Sequence, residues 1–406
     1  MTDVIAISPS SAPEPLRAPG GFPVVGIIGG GQLARMCAAP AAELAITLTV
    51  LAESTDAAAA QVVRSAPVGA HTDLDAVRVF ARSCDVVTFD HEHVPADVLA
   101  ALAADGVALH PSPAALTYAQ DKLAMRHRLG ELGIPCPRWA PVHSATDVAE
   151  FARAIAGPVV VKTPRGGYDG KGVRFVTDAA AAAATADWFE RAAGSPLLVE
   201  EAVGFTRELA VLLARSPSGQ AAAWPVVETV QTDGICTQVL APAPALPTDL
   251  VANATSAALR IAGELDVTGV LAVEMFQVNH PDHPEGFVVN ELAMRPHNSG
   301  HWSMDGAVTG QFEQHLRAVL DLPLGSPRPT ADWTVMTNVL GGDYAELYPA
   351  YRHVMARDPD AKLHLYGKGV RPGRKIGHVN LSGDNLADLR ERAQHAADYL
   401  QGVVTE

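Results

Sequence analysis

The chain has 406 residues, of which 48% are apolar, 18% charged and 5% aromatic. Its 30 Lys and Arg stand against 45 Asp and Glu, a net charge of −15. That excludes a surface built for nucleic acid or anionic lipid, because either would repel it. At roughly 150 residues per domain the length predicts two or three domains with a large core. No run approaches the ~18 apolar residues of a membrane span.

Residues 1–22 are rich in Pro, Ser and Gly and lack a basic start or a long apolar run. They read as a disordered extension rather than a secretory leader. FPVVGIIGGG is a short apolar strand entering a glycine turn, and QLARMCAAPAAEL carries helical spacing. ITLTVLAES, CDVVTFD and VALHP read as three more strands, so alternation over residues 23–112 predicts a parallel α/β sheet. KLAMRHRLGELG is a helix stopped by Gly133 and Pro135. PVVVKTPRGGYDGKGVRFV reads as strand, glycine loop, strand. LLVEEAV, RELAVLLARS, AAAWPVVETV, GVLAVEMFQV and GFVVNELAM continue a mostly antiparallel sheet. SMDGAVTGQFEQHLRAVLDL closes this block as a helix, and LPLGSPRP (322–329) reads as a linker. WTVMTNVL, KLHLYG and KIGHVNL are short strands of a small terminal block that ends in a helix.

Cys37, Cys84, Cys136 and Cys236 are too widely spaced for a C-x-x-C or zinc pattern and read as reduced thiols of a cytoplasmic protein. His91 with His93, and His280 with His283, sit among Pro and acidic residues and read as loop residues before metal ligands. Gly29, Gly31 and Ala34 fit G-x-G-x-x-A between strand and helix, and Glu53 follows where a dinucleotide-binding fold places its ribose acid. This is the basis for an alternative reading, an NAD-dependent oxidoreductase. Tight strand–helix turns also need glycine whatever they bind.

The chemistry beyond residue 120 suits phosphoryl transfer instead. Gly166–Gly172 (GGYDGKG) puts four glycines between two strands, a loop able to turn backbone N–H groups on an anion, and Lys162 precedes it. Glu200, Glu201 and Glu208 are candidates for ribose recognition or, equally, ordinary exposed acids. Glu274 and Glu291 lie inside apolar strands, where an unpaired charge is costly. Magnesium is a natural partner for such a pair; buried salt bridges with Arg are the other reading. Arg295–His301 (RPHNSGH) is dense in donors, and Lys368, Arg371, Arg374 and Lys375 form either a phosphate clamp or a solvated basic turn.

Lys162, GGYDGKG, VEEAV, Glu274 and Asn290-Glu291, in this order, resemble the ATP-grasp ligases. GGGQLARM, GGYDGKG, NELAMRPHNSGHW and VRPGRKIGHVNL resemble the PurK-type 5-(carboxyamino)imidazole ribonucleotide synthases of purine biosynthesis, from about residue 23 to the C-terminus. The resemblance implies an α/β and α+β, ATP-grasp architecture. Residues 1–22 would be the extension, 23–121 a pre-ATP-grasp α/β domain, 122–325 the ATP-grasp domain with a mobile lid at 155–205, and 326–406 a small β-rich C-terminal domain. It implies ATP-dependent carboxylation of 5-aminoimidazole ribonucleotide with bicarbonate, with ATP and Mg2+ as cofactors, in a cytoplasmic homodimer. The formate-dependent glycinamide ribonucleotide transformylases share the layout and are the nearest alternative; a non-catalytic nucleotide sensor is a third.

By the same resemblance Lys122, Lys162, Gly167, Tyr168, Asp169, Gly170, Lys171, Gly172, Val173, Glu200, Glu201, Ala202, Val203, Glu208, Gln231, Asn290 and Glu291 would line the ATP site. Glu274 and Glu291 would hold magnesium. Tyr168, Asp169, Lys171, Lys368, Arg374 and Lys375 would meet the ribonucleotide, with Gln32 and Glu92 added from the first domain. Asp169, Lys171, Arg295, His297, Asn298 and Lys368 would carry the chemistry, with Asp169 or His297 accepting the proton. Gln231 stands where the family often has His, Lys171 where Arg is common, Met294 where Pro is usual, and Ala293 where many relatives have Asn.

Overall fold

The computed structural model describes residues 19–167, 172–342, 344 and 346–404. Among these residues the strands form three sheets. The first contains β1 (Val24–Ile28), β2 (Thr47–Leu51) and β3 (Val86–Phe89), all parallel, in the order β2-β1-β3. Every residue of the three is buried, which explains their continuous apolar character: helices cover both faces. VALHP, expected as a fourth strand, contributes only an isolated bridge from Leu109 to Val87.

The second sheet is antiparallel: β4 (Trp139–Val142), β5 (Val159–Lys162), β6 (Val173–Val176) and β7 (Leu197–Glu201), in the order β4-β7-β5-β6. The hairpin β5–β6 pairs Lys162 with Val173 around the glycine loop, as the sequence predicts. The helix Ala145–Ile155, started by a Ser144–Asp147 capping box, lays Val148, Ala149 and Ala152 on this sheet.

The third sheet holds β8 (Arg207–Arg215), β9 (Ala221–Ala223), β10 (Val227–Thr232), β11 (Ile235–Ala241), β12 (Gly269–Gln277), β13 (Phe287–Ala293), β14 (Trp333–Leu340), β15 (Lys362–Leu365) and β16 (Lys375–Gly383). Its order is β13-β12-β8-β10-β11-β14-β16-β15, with β9 beside β8. AAAWPVVETV thus becomes two strands, because Pro225 has no N–H to give a ladder. The C-terminal strands extend this sheet: β14 pairs with β11, Gln238 opposite Thr337. The helix Leu386–Gln401 then covers β14 and β16 through Leu389, Ala393, Ala396, Ala397 and Leu400.

Two further expectations change. The closing helix divides into Ser303–Gly306 and Gln311–Val319, with Ala307–Gly310 between them non-helical. Gly306 is pressed against Thr334, where a Cβ would lie 2.3 Å from Oγ1. The segment 322–329 is not a free linker. Val308 and Thr309 donate N–H bonds to Arg328 and Ser326 carbonyls (2.9 and 3.0 Å), and Gln314 donates to Gly325 (2.8 Å).

Candidate active site

The functional side chains gather between the second and third sheets and the first domain. Glu274 on β12 stands directly opposite Glu291 on β13. Lys122, on the first turn of the helix Lys122–Glu131, reaches Glu291 at 2.6 Å. Lys162, at the end of β5, is held at 2.6 Å by Glu200 and at 3.1 Å by Asn290 Oδ1. Glu208 and Gln231 lie side by side on β8 and β10, and Lys162 acts on Glu208 electrostatically. These residues come from seven elements spread over residues 122–291, which explains why no local motif contains them.

The two strand acids differ from ordinary carboxylates. Burial first, and then the neighbouring charges of Glu291 and Glu208, push Glu274 up to about 7. Two acids in register, one of them starved of cations, fit a divalent ion that takes one or two carboxylates and shares nucleotide phosphates for the rest. Among the described residues no group of three or more His, Cys, Asp or Glu could hold a metal, so any ion here rests on the glutamate pair and its ligands.

Beyond the pair, His297 Nδ1 accepts the Ser299 backbone N–H at 3.3 Å, so the ring proton belongs on Nε2, which faces Glu274 at 3.2 Å. Burial, then Arg295 and Lys375, lower His297 to about 3. At neutral pH it is an uncharged hydrogen-bond partner of Glu274 and a weak base. Arg295 pairs with Glu92 of the first domain at 2.8 Å. Asn298 Oδ1 accepts from Asn338 at 3.0 Å, and its buried Nδ2 has no partner among the described residues, which suits an oxygen of a ligand. Lys368 donates to Gln32, joining the C-terminal block to the first domain. Lys375 opens β16, and its charge acts on Glu274 and His297.

The glycine turn after β1 has a different use from the one its motif suggests. Asp90 accepts the N–H groups of Gly31 and Ala34 at 3.0 and 2.7 Å, and a Cβ on Gly31 would lie 2.0 Å from Asp90 Oδ2. The seat that would take a dinucleotide pyrophosphate is filled by the chain's own carboxylate. The NAD reading loses its one motif.

Comparison with known proteins places the chain in a family. The ATP-grasp domain family matches residues 127–312, the ribonucleotide synthetase preATP-grasp domain residues 23–120, and the phosphoribosylaminoimidazole carboxylase C-terminal domain residues 334–392. N5-carboxyaminoimidazole ribonucleotide synthase of Mycobacterium tuberculosis is 53% identical over 387 residues, covering 93% of this chain and 88% of its own. That of Corynebacterium ammoniagenes is 49% identical over 382 residues, covering 94% and 92%.

The chain belongs to the N5-carboxyaminoimidazole ribonucleotide synthase family.

Solved synthases have the same fold. An ADP complex superposes with a TM-score of 0.84 at 32% identity, covering 94% of this chain and 98% of the other. The Aspergillus clavatus enzyme with ADP and 5-aminoimidazole ribonucleotide gives 0.83 at 30%, covering 93% and 98%.

Against this synthase fold the expected residues can be placed one by one. Lys122, Lys162, Glu200, Glu208, Gln231, Glu274, Asn290, Glu291, Arg295, His297, Lys375 and Glu92 are linked by the contacts and fields described; Lys368 and Gln32 pair with each other, and Asn298 with Asn338. Gly167, Gly172 and Val173 flank the glycine loop, and Gly172 adopts φ +76 with its carbonyl on Thr163 N–H. Ala202 and Val203 leave β7, Ala202 bonding to Pro158. Glu200 is buried, which removes the exposed-acid reading for it. Glu201 turns the other way and is taken by Arg138 at 2.6 Å. Arg374 is exposed and donates to Gly369 O at 3.2 Å. Tyr168, Asp169, Gly170 and Lys171 lie outside the described residues.

Three residues that hold others in place carry no sequence signal: Arg126, which donates to Glu200 and to the Val289 and Asn290 carbonyls, Asp90 and Asn338. Arg126 stands four residues after Lys122 on the helix Lys122–Glu131, and Asp90 follows β3; each acquires its partner only on folding.

Proposed function

We propose that the chain is an ATP-dependent carbon–nitrogen ligase that joins bicarbonate to the exocyclic amine of 5-aminoimidazole ribonucleotide, giving N5-carboxyaminoimidazole ribonucleotide, ADP and phosphate in purine biosynthesis. The observation that carries it is the Glu274–Glu291 pair facing Lys122 and, through Asn290, Lys162. Cations of this kind neutralise a phosphoryl group in transfer, and a pair of acids can hold the divalent ion that does the same.

Bicarbonate is a poor electrophile, and phosphorylation by ATP makes it one. Lys122 and Lys162 would hold the phosphates, with Glu274 and Glu291 as the magnesium ligands. The ion would supply charge neutralisation at the transferring phosphoryl group. Arg295, the free Nδ2 of Asn298, Lys368 and Lys375 would surround the carboxyphosphate, and His297 would steady Glu274. The weak basicity of His297 leaves Asp169 as the better candidate for the amine proton. Carboxyphosphate hydrolyses readily, so closure of the segment 155–205 over the site would exclude water. Arg374 and Lys375 would take the ribonucleotide phosphate, with Tyr168, Lys171 and Gln32 beside the ring and sugar.

We also propose the domain division 23–121, 122–325 and 326–406, and a cytoplasmic homodimer, both from the family resemblance. The function is tested by ADP release in two mixtures: aminoimidazole ribonucleotide with bicarbonate, and glycinamide ribonucleotide with formate. ADP is expected only in the first; ADP only in the second would make the chain a transformylase.

A further inference from the structure

The edge of the third sheet carries a bulge at the nucleotide side. Glu274 is opposite Glu291 and Met275 opposite Val289, so Asn290 has no partner on β12. A regular strand sends successive side chains to opposite faces. The extra residue re-aims them, and both Asn290 and Glu291 meet lysines of the site, Lys162 at 3.1 Å and Lys122 at 2.6 Å. Because β13 is an edge strand, carbonyls that face away from β12 need donors from elsewhere.

Arg126 supplies them. Its Nη1 donates to Val289 O at 3.1 Å and its Nη2 to Asn290 O at 2.7 Å. Its Nε donates to Glu200 Oε1 at 2.5 Å, leaving Oε2 for Lys162 at 2.6 Å. The guanidinium is 1% exposed and touches β7 of the second sheet and β13 of the third together. Lys162 makes a second link from the second sheet to the bulge, through Asn290 Oδ1, and it is itself held by the Glu200 that Arg126 grips.

We propose that Arg126 is a positioning residue for the nucleotide, clamping the Asn290 bulge to Glu200 so that Asn290 and Lys162 are held where ATP phosphates bind. The inference rests on the ligase reading above. A planar fork is required: a lysine keeps the charge but cannot reach two carbonyls and a carboxylate at once.

Arg126→Lys and Arg126→Met test it in the full-length protein, with ADP affinity by calorimetry, KM for ATP and for the ribonucleotide, and thermal melting. For Arg126→Lys, the ADP Kd and KM for ATP are expected to rise roughly tenfold or more, and KM for the ribonucleotide to stay within about twofold. A merely structural arginine would lower the melting temperature and leave the nucleotide constants near wild type while the protein is folded; that result overturns the proposal. So does an equal rise in both substrate constants. If Arg126→Met does not fold, the Lys variant decides on the same measurements. Because the ADP Kd does not depend on which acceptor is used, failure of the ligase reading shows separately, as wild-type protein that binds ADP but makes none from the aminoimidazole mixture.

Discussion

Two carboxylates on neighbouring sheets, Glu200 buried and Glu274 half-buried, meet opposite fates. Glu200, on β7, is 2% exposed; burial alone would raise it, but Arg126 and Lys162 hold it below the usual carboxylate range. Glu274, on β12, is pushed up to about 7 by burial and by the acids beside it. The first is satisfied by the protein and serves as an anchor. The second, although His297 donates to it, is left short of positive charge and is suited to a cation that arrives with the nucleotide. Burial costs both acids; the neighbours decide whether the fold or a ligand compensates.

Substitution separates the two roles. Glu291→Gln and Glu274→Gln are expected to lower ADP formation by roughly a hundredfold or more, the loss of several kcal/mol of transition-state charge stabilisation, with the urea midpoint unchanged or raised in Glu274→Gln. Near-normal turnover in either would break the ligand half of the comparison. Glu200→Gln leaves Arg126 and Lys162 facing each other without their counterion. It is expected to cost about 3–5 kcal/mol of stability by urea unfolding. A loss no larger than in Glu274→Gln would break the anchor half.

The smallest effect concerns pH. Folded Glu274 keeps its proton up to about 7, against 4.5 for the unfolded chain. The folded state therefore binds more protons between these values, and metal-free stability falls as pH rises from about 4.5 to about 7. Magnesium held by the proposed pair would compete with that proton, so its apparent affinity is expected to strengthen through the same window. Both slopes should flatten in Glu274→Gln, measured by melting and by magnesium titration of the nucleotide-bound protein. A slope unchanged by the substitution would assign the titration to another group.

Much of this site was legible in the linear chain because its chemistry is local or costly. An acid inside an apolar strand, as at Glu274 and Glu291, announces itself through the expense of burying it. A glycine loop between strands, with Lys162 before it, does so through its backbone. The Gly29–Gly31 turn was legible as a turn and misleading as a motif, because the group that fills it, Asp90, lies 59 residues from Gly31. VALHP reads as a strand by composition yet pairs at one point only, since pairing depends on which neighbour the fold offers.

The sequence by itself determined the periodic elements, the acid pair, the cationic residues and the family, because each follows from residue type and near spacing. Tertiary structure alone decided which charges cancel. Arg126 meets Glu200 across 74 residues and Asn290 across 164, and the bulge that brings Asn290 and Glu291 to one site exists only when β12 and β13 pair. The physical reason is that charge compensation depends on distance in space at low dielectric, which spacing along the chain does not encode.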